Sequence, residues 1–576
     1  MVKKVIAMWL VLAAAIVLAC GCGADRTGGG DAAENGTDVE EAKDREETTD
    51  EKREIKEFTG FVAFPGSELN LDNDIQQIIA EKIGAICRET YLTGQTQAEA
   101  VGMMIASGEY PDIIAGGNST KQLIEAGALI PLDEYWDDYP KLRDFIPDVQ
   151  KDFLRQDDGH IYVFPQGELF GKDMTVNAAE AFWIQAKVLE WDNYPKIETL
   201  DQLFDLLERY TKANPTLEDG TSIIPYTILC YDWYYFCLEN PPQFLDGYPN
   251  DGCCIVDPDT HQVIDYNTTP TAERYFRLLN EKYNQGLIDP EFMTMTRDEY
   301  IQKISSGRVL AMCDQYWNFS EAERAMVNAG MTGNSYVPLG LTIDEGMDEQ
   351  YFTATNAISS VDGIGITISC DDVDGMLQYL SDMLDPEIQT LLHWGVEGVD
   401  YLVDEEGIFY RTDEMREKAN DPAYKTSHLC NLLLRCGQIG LNPDGKNASM
   451  PSEQPGEFFA TLQPEIQKAF EVYGAKTYTD MLDYNFIDGS DSPWYPMWTF
   501  SNGFSTGTEG GMAWKKAADI KHEYLPQVVI AKDFDTAWEE YLGKYNECNP
   551  QAYLDELQQE VYRRIEIVTG VDESAK

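Results

Sequence analysis

The alternation of apolar and polar positions organises the chain from residue 58 onward. "FTGFVAF" (58–64) is an apolar run short enough for a buried strand, and Pro65 ends it. "LDNDIQQIIAEKIG" (71–84) then puts Ile75, Ile78, Ile79 and Ile83 on one helical face, with Asp72 or Asn73 placed to cap it. A strand over "AICRETYL" (85–92), a helix over "TQAEAVGMMIASG" (96–108) stopped by Gly108, a strand in "PDIIAGG" (111–117) and a helix in "STKQLIEAGAL" (119–129) follow. This strand-helix-strand repetition with short connections predicts a parallel α/β sheet.

The pattern then restarts. A strand over "IYVFP" (161–165) follows the turn "DDGH", and after it comes "TLDQLFDLLERYTKANP" (199–215), where Thr199 and Gln202 have the spacing of a capping box. "GRVLAM" (307–312) reads as another buried strand; "EFFATLQPEIQKAFEVYG" (457–474) and "NPQAYLDELQQEVYRRIEIVTG" (549–570) read as helices. At 576 residues and 43% apolar composition, the chain is too long for one ordinary core and rich enough for two.

The first 56 residues follow other rules. Lys3 and Lys4 precede "VIAMWLVLAAAIVLAC", an apolar run that reads as an export signal rather than a stable membrane span. Residues 1–19 are therefore expected to be a signal peptide, and Cys20, or alternatively Cys22, to carry a lipid. Residues 24–56 have almost no apolar side chains and cannot offset the entropy of folding, so 20–56 is expected to be a disordered tether on the outer face of a membrane.

Charge and chemistry narrow the functions. With 43 basic against 101 acidic side chains the formal charge is −58, which repels phosphate backbones and argues against nucleic acid. The 10 cysteines beyond Cys20 and Cys22 form no zinc-type spacing and only 5 histidines exist, so neither a metal nor another cofactor is expected. Several cysteines sit in apolar runs and read as small buried hydrophobes, with a Cys230–Cys237 disulfide left open. No nucleophile, zincin or phosphate-loop motif stands out, and among so many carboxylates a pair at hydrolase spacing carries no information, so no enzyme is expected.

Three runs carry a resemblance: "MMIASGEYPDIIAGGN…LIEAGALIPLDEYWDDYP", "YNQGLIDPEFMTM…EYIQKISSGRVLAM" and "HWGVEGVDYLVDEEG". In this order behind a lipobox they resemble the extracellular solute-binding lipoproteins of bacterial ABC importers, family 1, the carbohydrate-binding type. The resemblance implies an α/β fold of the periplasmic-binding-protein-like type II, with two lobes, a hinge and a ligand cleft. It implies lobe 1 from 57–165 plus about 355–400, and lobe 2 from 166–354 plus about 401–576. It also implies a monomer that takes an oligosaccharide or sugar derivative to the permease subunits of an importer; a peptide or other organic solute, or a surface glycan-degrading enzyme, are the alternatives.

A sugar site needs aromatic plates for C–H faces and carboxylates or amides for hydroxyls. The loop after the first strand offers Glu68, against the alternative that its neighbour Asp72 only caps a helix. "GGNST" offers Asn118 beside two glycines that let a ligand approach, or else a capping loop. "CYDWYYF" (230–236), taken as extended, puts Tyr231, Trp233 and Tyr235 on one side, with Trp233 as a plate. Trp394 lies in a Gly-flanked turn, and "SPWYPMW" (492–498) displays Trp494 and Trp498 between prolines. The favoured position is the end of "GRVLAMCDQYW", with Trp317 as plate and Asp314 or Gln315 as hydroxyl partners. Lys172, Arg274 or Arg308 are the cations available should the ligand be acidic; without them the acidic chain favours neutral glycans.

Overall fold

In a computed structural model, the described residues are 55–482, 485–486 and 507–574, apart from 66–69, 71, 147, 157, 166–179, 250–253, 258, 352, 355–362, 431, 433, 435, 436, 438, 439 and 573. The expected signal, lipid site and nearly all of the tether lie outside them. Among the described residues, eleven strands lie between residues 56 and 366: β1 Lys56–Pro65, β2 Ala85–Leu92, β3 Ile113–Ala115, β4 Glu180–Gln185, β5 Ile224–Thr227, β6 Ile255–Val256, β7 Val263–Ile264, β8 Val309–Gln315, β9 Tyr336–Leu339, β10 Thr353–Ala354 and β11 Ile364–Ile366.

The first sheet has the order β11-β3-β1-β2. Its three early strands are parallel, as the alternating pattern predicts, and β11 joins antiparallel to β3 after a long excursion of the chain. The helix Asp74–Ile83 between β1 and β2 buries Ile75 and Ile79; its N-cap is Asn73, whose side chain accepts from the Gln76 N–H, and Gly84 at φ 77° ends it. Phe58, Phe61, Ile113, Ile114, Ile364, Ile366 and Leu377 belong to one buried core.

The second sheet, β5-β8-β4-β9, pairs β5 with β8 in parallel and β4 antiparallel to both β8 and β9. Its core is larger and includes Trp183, Phe204, Tyr226, Tyr275, Phe319 and Tyr336. The capping box of Thr199 and Gln202 forms as the spacing predicts and starts the helix Leu200–Ala213. The last helices, Glu509–Ile530, Phe534–Glu547 and Pro550–Thr569, pack into this core through Leu525, Tyr541 and Tyr553. Leu432 and Leu434, downstream of residue 401, are buried in the first core.

The cysteines behave as small hydrophobes: Cys87, Cys230, Cys237, Cys254, Cys313 and Cys370 are all free and buried. Cys230 and Cys237 form no disulfide. "IYVFP" makes a single bridge, Phe164 to Ile364, instead of a full strand. No helix among the described residues is long and apolar enough to cross a membrane.

Candidate functional site: an aromatic wall at the end of β8

β8 is buried along its first six residues and emerges at Gln315, where the helix Tyr316–Asn328 begins. The helical turn sorts the aromatics. Phe319 is fully buried, and Tyr316 packs with it against Trp183, at ring separations of 5.5 Å for Tyr316 and 5.1 Å for Phe319. Trp317, a third of a turn away from Tyr316, faces outward and is 52% exposed. Beside it lie Phe236 at 6.0 Å and Tyr234 at 6.4 Å. Arg297 lies over the ring of Tyr234 at 5.7 Å and donates to both the Asn318 side chain and its carbonyl. The result is a cluster of three rings on a polar footing, with Trp317 exposed and Tyr234 and Phe236 partly buried.

The wall differs from the expectation in its backbone. The stretch 230–236 is not extended: Asp232–Tyr235 is a 3-10 turn that runs into the short helix Phe236–Glu239. Tyr234 and Phe236, assigned by alternation to the opposite side, are the rings beside Trp317. Trp233 lies within the turn, and its side chain is outside the described residues. Tyr235 is half-buried and stacks on His522 at 3.9 Å with the rings nearly parallel; burial pushes its hydroxyl up to about 12. His522 is held in turn by Glu239 at 3.0 Å. Tyr235 thus props the turn from behind.

Asp314 is a correction. It is fully buried, and its carboxylate accepts from the Tyr300 hydroxyl (2.7 Å), the Asn318 amide (3.0 and 3.1 Å), the Gln315 N–H (2.7 Å) and the Cys237 thiol (3.4 Å). Those donors occupy it completely, so it presents no oxygen to a ligand. It instead ties the segment carrying Tyr234 and Phe236, through Cys237, to the helix carrying Trp317, through Asn318. Burial raises its carboxyl to about 6 despite these donors. Glu180, directly across from Gln315 in the β4–β8 register, is also fully buried and is raised well above the usual carboxylate range by burial, and further by the Asp314 charge. The Gln315 amide donates to Glu180 at 3.4 Å while the residue stays partly exposed, at the foot of the wall.

Trp394 is a second correction. It is fully buried, its indole N–H donates to the Ala448 carbonyl at 3.0 Å, and Tyr401 and Phe409 pack on it. A ring enclosed in this way cannot stack on a ligand. Its neighbourhood braces the first sheet instead. Asp400 accepts from the Val396 N–H and the Tyr424 hydroxyl and contacts His428 Nε2 at 3.0 Å, while His428 Nδ1 lies 2.8 Å from Asp74. Asn70 and Asn73 donate to the carbonyls of Thr426 and Leu429, so the segment 424–429 clamps the loop after β1.

Of the remaining candidates, Asn118 is exposed in the turn Gly117–Ser119 at the carboxyl end of β3. Glu68, Trp494 and Trp498 lie outside the described residues, as does Lys172. Arg274 is engaged by Asp344 at 2.8 Å, and Arg308 precedes β8, at the end opposite Trp317. Neither supplies a cation to the wall. Among the described residues no cluster of three His, Cys, Asp or Glu side chains is arranged to hold a metal.

No protein-family model matches the sequence, and no characterised protein matches it by sequence. Solved structures do match the fold. An "HMO binding" solute-binding protein associated with an ABC transporter of Bifidobacterium longum infantis aligns over 89% of this chain and 99% of its own, with a TM-score of 0.62 and 15% identity. The chain has the two-lobed fold of the ABC-transporter solute-binding proteins. The S. pneumoniae substrate-binding protein FusA, in complex with kestose, aligns over 88% of this chain and 99% of its own, at TM-score 0.60 and 16% identity. The alginate-binding protein AlgQ2 aligns over 88% and 98%, at 0.59 and 17%.

Proposed function

We propose that this protein is an extracytoplasmic solute-binding protein that captures an oligosaccharide or sugar derivative between its lobes and delivers it to an ABC importer. The observation that carries this reading is Trp317, 52% exposed just beyond the carboxyl end of β8, with the partly buried rings of Tyr234 and Phe236 beside it. A large aromatic side chain held half out of the core presents apolar surface to water, and such surface suits the C–H faces of sugars. The fold supports it, since neighbours of the same architecture are described as "HMO binding", in complex with kestose and alginate-binding. Binding and closure of the lobes, with no chemistry on the sugar, form the mechanism. On this reading the chain is anchored by lipid at Cys20, or Cys22, tethered by residues up to about 56, and works as a monomer. On the same reading lobe 1 comprises 57–165 plus about 355–400 and lobe 2 comprises 166–354 plus about 401–576, with Leu432 and Leu434 reaching into the first core.

Titration of intrinsic tryptophan fluorescence with neutral oligosaccharides, acidic oligosaccharides and peptides tests this. Saturable change with a glycan and no product supports the reading; turnover, or a response to peptides alone, overturns it. Trp317→Ala is expected to weaken the best glycan by about 1 kcal/mol or more, leaving thermal unfolding unchanged.

A further inference from the structure

β1 does not run straight into its loop. Val62 pairs with Tyr91 of β2, yet the next pair is Pro65 with Leu92, so Ala63 and Phe64 are extra residues in a bulge. Bulges bend a strand and re-aim the side chains they carry. Phe58 and Phe61 of the same strand are buried at 2% and 6% exposure, whereas Phe64 is 41% exposed. Its ring lies on Gly117, which has φ +54°: a Cβ built there would come within 3.1 Å of Phe64 Cζ and 2.8 Å of Gln97 Nε2. One glycine therefore seats both a ring and an amide, and the Gln97 amide has no hydrogen-bond partner among the described residues.

The topology puts this group at a special place. β1 lies between β3 and β2, and all three are parallel. The chain leaves β1 for β2 on one side, then crosses through the helix Gln97–Ser107 to β3 on the other. The connections diverge above the carboxyl ends of β1 and β3, and such divergence opens the crevice where α/β sheets take ligands. Phe64 and Gly117 each lie two residues beyond the paired Val62 and Ala115, at that crevice.

We propose that Phe64 is the stacking plate of the first lobe, receiving the C–H face of a neutral pyranose ring, with the Gln97 amide as a hydroxyl partner. The inference rests on the sugar-binding reading above and sharpens it. Phe64, Gln97 and Gly117 carry no charge, so a uronate placed there would lose water without gaining a counter-ion. With Trp317 on the other lobe, the ligand is one that offers an apolar face to each lobe.

The test is calorimetric titration of the full chain with kestose, lacto-N-tetraose and an alginate trisaccharide. A neutral probe is expected to bind best, Phe64→Ala to weaken it roughly five- to tenfold, and Phe64→Trp to stay within about twofold of wild type. Phe64→Leu, which removes the ring and keeps much of the volume, gives the same comparison should the alanine variant fold poorly. Wild-type affinity in both ring-less variants, with Trp317→Ala weakened, overturns the lobe 1 plate and leaves the sugar reading standing. Preference for the alginate trisaccharide overturns the neutral assignment, and no binding of any probe to the wild-type protein sinks the sugar reading together with the plate.

Discussion

A single carboxylate illustrates how the wall is made. Asp314 accepts from Tyr300, Asn318, Gln315 and Cys237, all neutral donors, and burial still raises it to about 6. A carboxyl whose folded value lies above its unfolded value near 4 binds its proton more tightly in the folded protein. Its contribution to stability is thus full below about pH 4 and is lost as pH rises through about 6. The loss is on the order of 2–3 kcal/mol. Glu180, shifted in the same direction by burial and by Asp314, adds to that slope at higher pH. The difference in urea stability between wild type and Asp314→Asn, measured from pH 4 to 7, is expected to change across this window. A constant difference would mean that Asp314 keeps an ordinary titration. The residue is a strut for the rings rather than a side chain open to a ligand, which its position three residues before Trp317 in the sequence could not reveal. Adjacency along the chain says that two residues are near; only the strand's direction of burial says which one meets solvent.

At the scale of elements, strands and helices with strong periodicity were legible and short aromatic segments were not. "AICRETYL" and the helix starting after Thr199 are found where the pattern puts them. "CYDWYYF" alternates like a strand, but seven residues cannot separate a period of two from a 3-10 turn followed by a helix, and packing against Trp317 and His522 decides for the turn. Phe64 was unreadable for the opposite reason: "FVAF" (61–64) is uniformly apolar, and nothing in it announces the bulge that turns its last ring outward. The Gly-flanked turn at 393–401 was visible as a turn, yet its Trp394 is core. Its glycines have a specific task. Gly395 has φ +91°, and a Cβ there would come within 2.4 Å of an Asp400 oxygen. Asp400 is what holds Tyr424, His428 and the Val396 N–H. Gly395→Ala is therefore expected to cost about 2 kcal/mol or more by strain and displacement of Asp400. A denaturation midpoint equal to wild type would show that the clamp can shift without loss.

For the whole molecule, the two cores and the direction of their strands determine what binding must do. Trp317 stands on the second sheet and Phe64 on the first, each at a carboxyl strand end. On the proposed reading both plates meet the same ligand, so binding energy is available to shift the population towards a closed form. A ligand moves that equilibrium only by the difference between its affinities for the two forms. Small-angle scattering should consequently show a smaller radius of gyration with saturating oligosaccharide than without. Trp317→Ala, at sugar concentrations high enough to saturate it, should show less compaction than wild type, because one lobe has lost its grip on the ring. A radius unchanged by a sugar that demonstrably binds would mean that one lobe holds the ligand by itself, and the two-plate arrangement would fall even with the affinity intact.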